Sequence, residues 1–359
     1  MPLYDTLSDL PLRIEGYALE GRERRISDEF TRLTTVVRLH GGGEEGLGED
    51  VTYDPDAQAR QQAAGPVLPL AGDWTLDTFS RHLAALELFG GMPPMMPAFL
   101  RYRRWAFESA AADLALRQAG RSLAEVLGRE PRPVAFVVSL RLGEPPDVGH
   151  VERRLAAYPG LRFKLDATPS WDDALVARLA ATGAIASIDF KGAYKGTIVD
   201  VPTDPALYAR CADGFPTAWL EDPDLSVPEA DAALAPHRDR ITWDAPIHGI
   251  VDIEALPFLP RSINVKPSRF GSVRALFDAY DFCAERGMGA YGGGQYELGV
   301  GRGHVQLLAA LFHPNAPNDI APGGYDALDP EPGLPASPLE VDPAPLGFRR
   351  AEDDREASS

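Results

Sequence analysis

The spacing of apolar positions changes character near residue 132. Before it, Thr31 to Leu39 (TRLTTVVRL) is a β-branched run that ends at Gly41-Gly42-Gly43, which predicts a strand entering a turn. A stretch rich in Gly, Asp and Pro follows, from about Gly46 to Asp56. Residues 75–89 and 102–119 carry helical spacing; in the second, Trp105, Ala106, Ala110, Leu114 and Ala115 share a face. Beyond residue 132, short apolar strands alternate with helices. The predicted strands are Val134–Val138, Leu161–Asp166, Ile185–Phe190, Ala218–Glu221, Ile241–Asp244, Ile263–Lys266, Gly289–Tyr291 and Asp319–Ala321. Helices are predicted over Trp171–Ala181, Pro205–Cys211, Ser272–Arg286 and Arg302–Phe312. A β-then-α unit repeated over about eight strands implies a closed parallel barrel.

Length and composition narrow the reading. A chain of 359 residues holds a barrel of about 250 residues with roughly 100 to spare. Lys plus Arg number 35 against 53 Asp plus Glu, a net charge of −18, which argues against nucleic-acid and anionic-membrane partners. The 45% hydrophobic content supplies a large core. Cys211 and Cys283 cannot build a disulfide framework. No run of 18 apolar residues is present, and the N-terminus lacks the pattern of a signal peptide, so a cytoplasmic protein is expected. From about Asp329 the chain is rich in Pro, Asp, Glu and Ala. No Gly-x-Gly-x-x-Gly stands at a strand–helix junction, so a dinucleotide site has no support.

Charged residues recur where the predicted barrel strands end: Lys164 and Asp166, Asp189 and Lys191, then Glu221, Asp244 and Lys266. In a parallel barrel these ends converge on one face. An ion at the end of an apolar strand is costly unless paired or bound to metal. Asp189, Glu221 and Asp244 supply hard oxygen atoms from three consecutive strands, which suits Mg²⁺, with Mn²⁺ as the alternative.

These residues resemble the enolase superfamily, closest to its muconate-lactonizing branch, over nearly the whole chain. Phe30–Asp50 (FTRLTTVVRLHGGGEEGLGED) is similar to the capping-domain hairpin, and Arg103–Gly128 to the helix leading into the barrel. WLEDP (Trp219–Pro223) resembles the fourth-strand motif, NVKPSRFGSV (Asn264–Val273) the sixth, and GGGQYELGVGRGHVQLLAALF (Gly292–Phe312) the seventh strand and its helix. The resemblance implies an α/β fold, a (β/α)7β TIM-type barrel with an N-terminal α+β capping domain. The domains would be 1–130 for the cap and 131–325 for the barrel. Residues 326–359 would pack partly on the cap and then become disordered. It further implies that Asp189, Glu221 and Asp244 match the Mg²⁺ ligands, that Lys266 matches the sixth-strand base, and that Lys164 matches the first lysine of the second-strand Lys-x-Lys. The implied reaction removes the α-proton of a small carboxylate substrate through a metal-stabilised enediolate. Family members are commonly dimers or octamers, which implies a homo-oligomer.

Two departures bear on the reaction. The usual second lysine is replaced by Asp166, and a lysine, Lys191, stands where the family commonly has an amide. Asp166 and Lys191 either pair, or Lys191 serves the face that a strand-two lysine would serve, or Lys191 points to solvent; Asp166 as an added acid near the metal is a further option. With only Lys266 at a recognised base position, one-base elimination, dehydration or cycloisomerisation is expected. Racemisation returns if Lys191 or Lys164 acts as second base. A Schiff-base aldolase using Lys266, or a relative without catalysis, stays open. No histidine ends the seventh strand; His248 either reaches the pocket or bonds within its loop. Substrate contacts are expected from Tyr53, Gly293, Gln295 and Glu297, with Gly292–Gly294 read either as an anion cradle or as a hinge. Glu297 could equally cap the following helix. Loops near Gly16–Arg25 and Gly46–Asp54 are expected over the barrel mouth, and Arg22, Arg24 and Arg25 in the first could meet a second substrate anion or stay solvated.

Overall fold

The computed structural model describes residues 1–26, 30–197, 199–327 and 330–357. In the N-terminal part, β1 (Pro11–Ile14) pairs with the later β5 (Gly72–Thr75), while β2 (Gly16–Arg25), β3 (Thr31–Gly41) and β4 (Glu44–Asp50) form an antiparallel meander. Helices α1 (Pro55–Ala64), α2 (Leu76–Ala84), α3 (Pro97–Gln118) and α4 (Leu123–Leu127) cover it. β4 lies directly on α3 because it presents no side chains there. A Cβ at Gly46 would sit 2.2 Å from the Ala110 carbonyl oxygen, and one at Gly48 2.0 Å from that of Ala106.

The segment Gly16–Arg25, expected as a loop over the mouth, is instead a strand paired with β3 along its whole length. Its outer half (Gly21–Arg25) is exposed and polar, so it has no apolar alternation to announce it; the β3 partner supplies the order. Arg22 pairs with Glu20 at 2.8 Å and Arg24 with Asp326 at 2.8 Å, so neither is a loose cation over the site. Most of the second expected mouth loop is likewise β4.

The barrel strands follow: β6 (Val137–Leu140), β7 (Arg162–Asp166), β8 (Ile185–Asp189), β9 (Trp219–Glu221) and β10 (Ile241–Thr242) are parallel neighbours, as are β11 (Ser262–Val265) and β12 (Gly289–Gly292). The Asn264 N–H donates to the Trp243 carbonyl at 3.0 Å and joins the two sets. The ring closes through Asn318 and Asp319: Asp319 N–H donates to Gly292, and Val137 N–H to Asn318, both at 2.8 Å. Helices α5 (Gly149–Ala157), α6 (Asp173–Ala181), α7 (Pro205–Gly214), α8 (Pro228–Leu234) and α9 (Ile250–Glu254) alternate with the first strands. After β11 come α10 (Pro267–Phe270) and α11 (Val273–Glu285), and after β12 comes α12 (Val300–Phe312). The apolar runs of the barrel strands reflect burial on both faces. This is a TIM-type barrel behind an α+β cap.

The C-terminal segment returns to the cap. Phe348 N–H and the Arg349 guanidinium both bond the buried Asp113 of α3, at 2.7 and 2.6 Å, before the last helix α13 (Ala351–Ala357). The disorder expected at the extreme C-terminus falls on Ser358 and Ser359, which lie outside the described residues, as does Asp329, where the Pro- and acid-rich composition begins. Among the described residues, no helix is long and apolar enough to cross a membrane.

Candidate active site

The strand ends bring the predicted residues together by register. Asp166 lies opposite Asp189, and Asp189 opposite Glu221; Thr242 pairs with Glu221, so Asp244 follows two residues beyond on the next strand. Asp189, Glu221 and Asp244 are all at most 1% exposed. Lys164 reaches from β7 between two of them, with its ammonium on Glu221 and 3.1 Å from Asp189. Lys266 lies 2.8 Å from Asp244.

Lys191 and Asp166 do pair, at 3.3 Å. The Lys191 ammonium also contacts Asp189, and the Asp166 carboxylate takes Arg141 on its other oxygen at 2.8 Å. The Lys191 side chain is 13% exposed and turned inward, so the solvent-facing option does not hold. Its φ of 54° lies in the left-handed region, uncommon for a residue other than glycine.

Several members carry no mark in the pattern of strand ends. Asp222, next to Glu221, has a φ of 49° and accepts from the Asp244 and Ala245 N–H groups at 2.8 and 2.9 Å. Arg269, three residues after Lys266, donates to Asp244 at 2.7 Å and to the Tyr194 hydroxyl at 3.1 Å. Tyr291 donates to Glu221 from β12, and Asp319 stands 3.8 Å from Lys164. Asp222 and Arg269 were findable as charges inside the WLEDP and NVKPSR motifs; Tyr194 and Tyr291 needed the fold.

Carboxylate oxygens of Asp189, Glu221 and Asp222 lie within 4.8 Å of one another, the spacing a bound cation requires. Asp244 is outside that group, its carboxylate turned to Lys266 and Arg269. Burial pushes Glu221 up to about 8 against the pull of Lys164, with Asp189, Asp244 and Asp222 adding to the rise. Burial, then Asp244 and Asp189, lift Asp222 to about 7. Asp189 and Asp244 go the other way: burial opposes ionisation, but Lys191 and Lys164 hold Asp189 low, and Arg269 and Lys266 hold Asp244 low. Such crowding of hard oxygen donors fits a divalent cation of the Mg²⁺ type. Among the lysines, burial lowers Lys266 below its usual range, with Asp244 opposing and Arg269 and Lys164 assisting. Lys164 and Lys191 are held well above theirs, since their acid partners outweigh burial.

The residues expected at the substrate lie at the seam between cap and barrel. Tyr53 donates to the Gln295 amide oxygen at 3.2 Å, and that amide donates to Tyr102 at 3.0 Å. Glu297 accepts from Gln295 N–H at 2.6 Å and pairs with Arg302 at 3.0 Å, so it braces its own loop; the N–H groups at the start of α12 are taken by Glu49 instead. The anion cradle does not form. Gly292, Gly293 and Gly294 N–H groups already donate to Asn318, Val265 and Asp319. Gly293 has a different use, because a Cβ there would sit 2.5 Å from Lys266 Cε. His248 bonds within its loop, to the Pro246 carbonyl at 3.0 Å.

Comparison with known proteins agrees with this arrangement. The family described as "Domain of unknown function (DUF8230) C-terminal domain" matches residues 130–327, more than half the chain, and its N-terminal counterpart matches residues 5–126. An o-succinylbenzoate synthase of Geobacillus stearothermophilus is 29% identical over 256 residues, covering 68% of this chain and 66% of the synthase, just under two thirds of its length. An N-succinylamino acid racemase of Thermus thermophilus is 28% identical over 328 residues, covering 86% of this chain and 84% of the racemase. The crystal structure of muconate cycloisomerase from Pseudomonas fluorescens superposes with a TM-score of 0.66 at 18% identity, covering 97% and 98% of the two chains. The chain with this barrel, cap and ring of buried carboxylates therefore belongs to the DUF8230 family and to the enolase superfamily, on its muconate-lactonizing-enzyme-like branch.

Proposed function

We propose that the protein is a metal-dependent lyase or isomerase that removes the α-proton of a small carboxylate substrate, with Lys266 as the base. The observation that carries this reading is the set of buried acids on successive strand ends, flanked on opposite sides by Lys164 and Lys266. Asp189 and Glu221 would hold the cation. Asp244 is the third ligand by its place in the strand series and Asp222 the third by proximity; Asp222 already serves two backbone N–H groups, which favours Asp244. On this assignment D244N weakens Mg²⁺ binding by calorimetry far more than D222N does, and the reverse order reassigns the ligand. A bound Mg²⁺ supplies positive charge for the substrate carboxylate.

The chain's own groups do the rest. Lys266, buried beside Arg269 and Lys164, is the lysine whose surroundings favour the neutral amine a base must be. Lys164 and Lys191 are held as cations by Asp189, Glu221 and Asp166, and stabilise charge that builds on the substrate as the proton leaves. One base and two fixed cations favour β-elimination, dehydration or cycloisomerisation. Racemisation is the second reading, supported by the racemase among the relatives, and would need Lys191 or Lys164 to deliver a proton to the other face.

The deciding experiment screens carboxylic acids, including N-succinylamino acids and dipeptides, for α-proton exchange in deuterated water. Exchange that needs Mg²⁺ and disappears on chelation supports the reading. No exchange together with no divalent-metal binding overturns it, and borohydride trapping of a substrate on Lys266 would redirect it to Schiff-base chemistry. Assembly as a homo-oligomer is proposed alongside, and sedimentation velocity tests it.

A further inference from the structure

The loop between β12 and α12 is bonded to the barrel at Gly293 and Gly294 and gripped by the cap from Gln295 onward. It runs from Gly293 to Gly299, directly beside Lys266. Two ions of the cap, each 1% exposed, grip it. Glu49, at the end of β4, accepts from Leu298 N–H at 2.7 Å, from Gly299 N–H at 3.1 and 3.0 Å, and from Gly301 N–H at 2.9 Å. It thus satisfies the free N–H groups at the start of α12 with a charge from another domain. Arg32, on β3, spans both sides of the seam. Its guanidinium donates to the Val51 and Thr52 carbonyls of the cap at 2.6 and 3.0 Å, and to the Gln295 and Tyr296 carbonyls of the loop at 3.0 and 3.1 Å.

The fit leaves no slack. A Cβ on Gly301 would lie 2.8 Å from the Glu49 carboxylate, and the same ring of contacts seats the Gln295 amide between Tyr53 and Tyr102. At the other end of the loop, the Gly293 backbone forms the wall against which the Lys266 side chain lies. A shift of the loop would therefore move both Gln295 and the space available to Lys266. Hydrogen bonds between two charged, buried groups and seven backbone atoms are more than a surface contact needs.

We infer that Arg32 and Glu49 are positioning residues for proton abstraction: they lock the Gly293–Gly299 loop from the cap and thereby hold Lys266 and Gln295 in working geometry. The inference rests on the proton-abstraction reading above. Displacement of a reacting group by about 1 Å can cost about a hundredfold in rate, so the expected losses are large while metal binding is untouched.

E49Q is the main variant, since it keeps the side chain's size but turns an amide NH₂ toward N–H donors. R32K is the second, keeping the charge and losing the fork that spans four carbonyls. Each is expected to lower kcat for α-proton exchange about ten- to a hundredfold, using whichever panel acid the unaltered chain exchanges fastest. The Mg²⁺ Kd is expected to stay within about twofold, amide hydrogen exchange to rise over 293–301 and not in the barrel strands, and E49D to recover part of the rate. Unaltered kcat in both variants overturns the inference, as does a parallel loss of Mg²⁺ affinity, which would mark a general structural role. If the unaltered chain exchanges no acid and binds no divalent metal, the function reading fails instead; with or without exchange, protection over 293–301 equal to the unaltered chain's in both variants overturns the clamp.

Discussion

At the scale of single residues, the site turns on which lysine carries which charge. Lys266 stands against Asp244 with Arg269 on the same carboxylate, so its ammonium shares a partner already claimed by a permanent cation. Lys191 contacts two acids, Asp166 and Asp189, which it shares with Arg141 and Lys164 respectively. K266M is therefore expected to abolish α-proton exchange while Mg²⁺ still binds by calorimetry; retained exchange would remove Lys266 from its role. K191M should also stop turnover with metal binding kept, because a cation facing the substrate is lost, and a fully active K191M would make Lys191 a mere partner of Asp166. Gly293 offers a finer probe. The methyl group of G293A would press on Lys266 Cε from 2.5 Å, and exchange should fall at least about tenfold without a change in metal affinity.

At the scale of elements, the cap is built by close approach. β4 reaches the α3 backbone only because Gly46 and Gly48 carry no side chains, and that contact places Glu49 and Tyr53 over the barrel. G48A puts a methyl 2.0 Å from the Ala106 carbonyl and 2.5 Å from the Ser109 hydroxyl. Overpacking of this kind costs about 1–3 kcal/mol. Denaturant unfolding should show that loss, and exchange activity should fall with it as the seam opens; an unchanged midpoint would mean that strand and helix slide apart freely. The barrel strands, short and apolar, are legible as a parallel set because both of their faces are covered. β2 was not legible, since an edge strand with a polar outer half is ordered by its partner rather than by its own alternation.

For the whole molecule, the C-terminal segment is fastened to the cap through buried ions. Asp113 in α3 accepts from Leu47 in β4 and from Phe348 and Arg349 in the returning tail. R349M would leave that carboxylate buried without its cation, at a cost of about 3–5 kcal/mol, and thermal unfolding should report it. Beside it, His304 stacks on Phe348 at 4.3 Å. Burial, with Arg349 and Arg350 adding, lowers His304 to about 3, and burial lowers His313 to about 4 against the bond its ring donates to Asn318. Both are neutral in the fold, whereas the unfolded chain takes up both protons below about pH 6.5. Their contribution to stability is thus complete above pH 6.5 and declines toward pH 4, by about 1.4 kcal/mol per unit for each group. H304F should lose part of that acid sensitivity in unfolding curves at pH 7 and 4.5; equal slopes would place the acid response elsewhere.

The chain's own pattern determined the repeating β/α barrel, the row of charges at its strand ends and the glycine-spaced hairpin, because each depends on short-range periodicity and on ions that an apolar strand cannot carry without a partner. It also set the Asp166–Lys191 exchange in plain view, although not its outcome. Only the tertiary structure decided that the two side chains face each other, that Asp222 joins the carboxylate cluster while Asp244 turns to Arg269, and that the glycine row bonds the barrel rather than an anion. It alone brought Arg32 and Glu49, some 250 residues away in sequence, onto the loop beside Lys266. Those facts depend on which groups meet across strands and domains, and contact at such separation leaves no local periodicity to read.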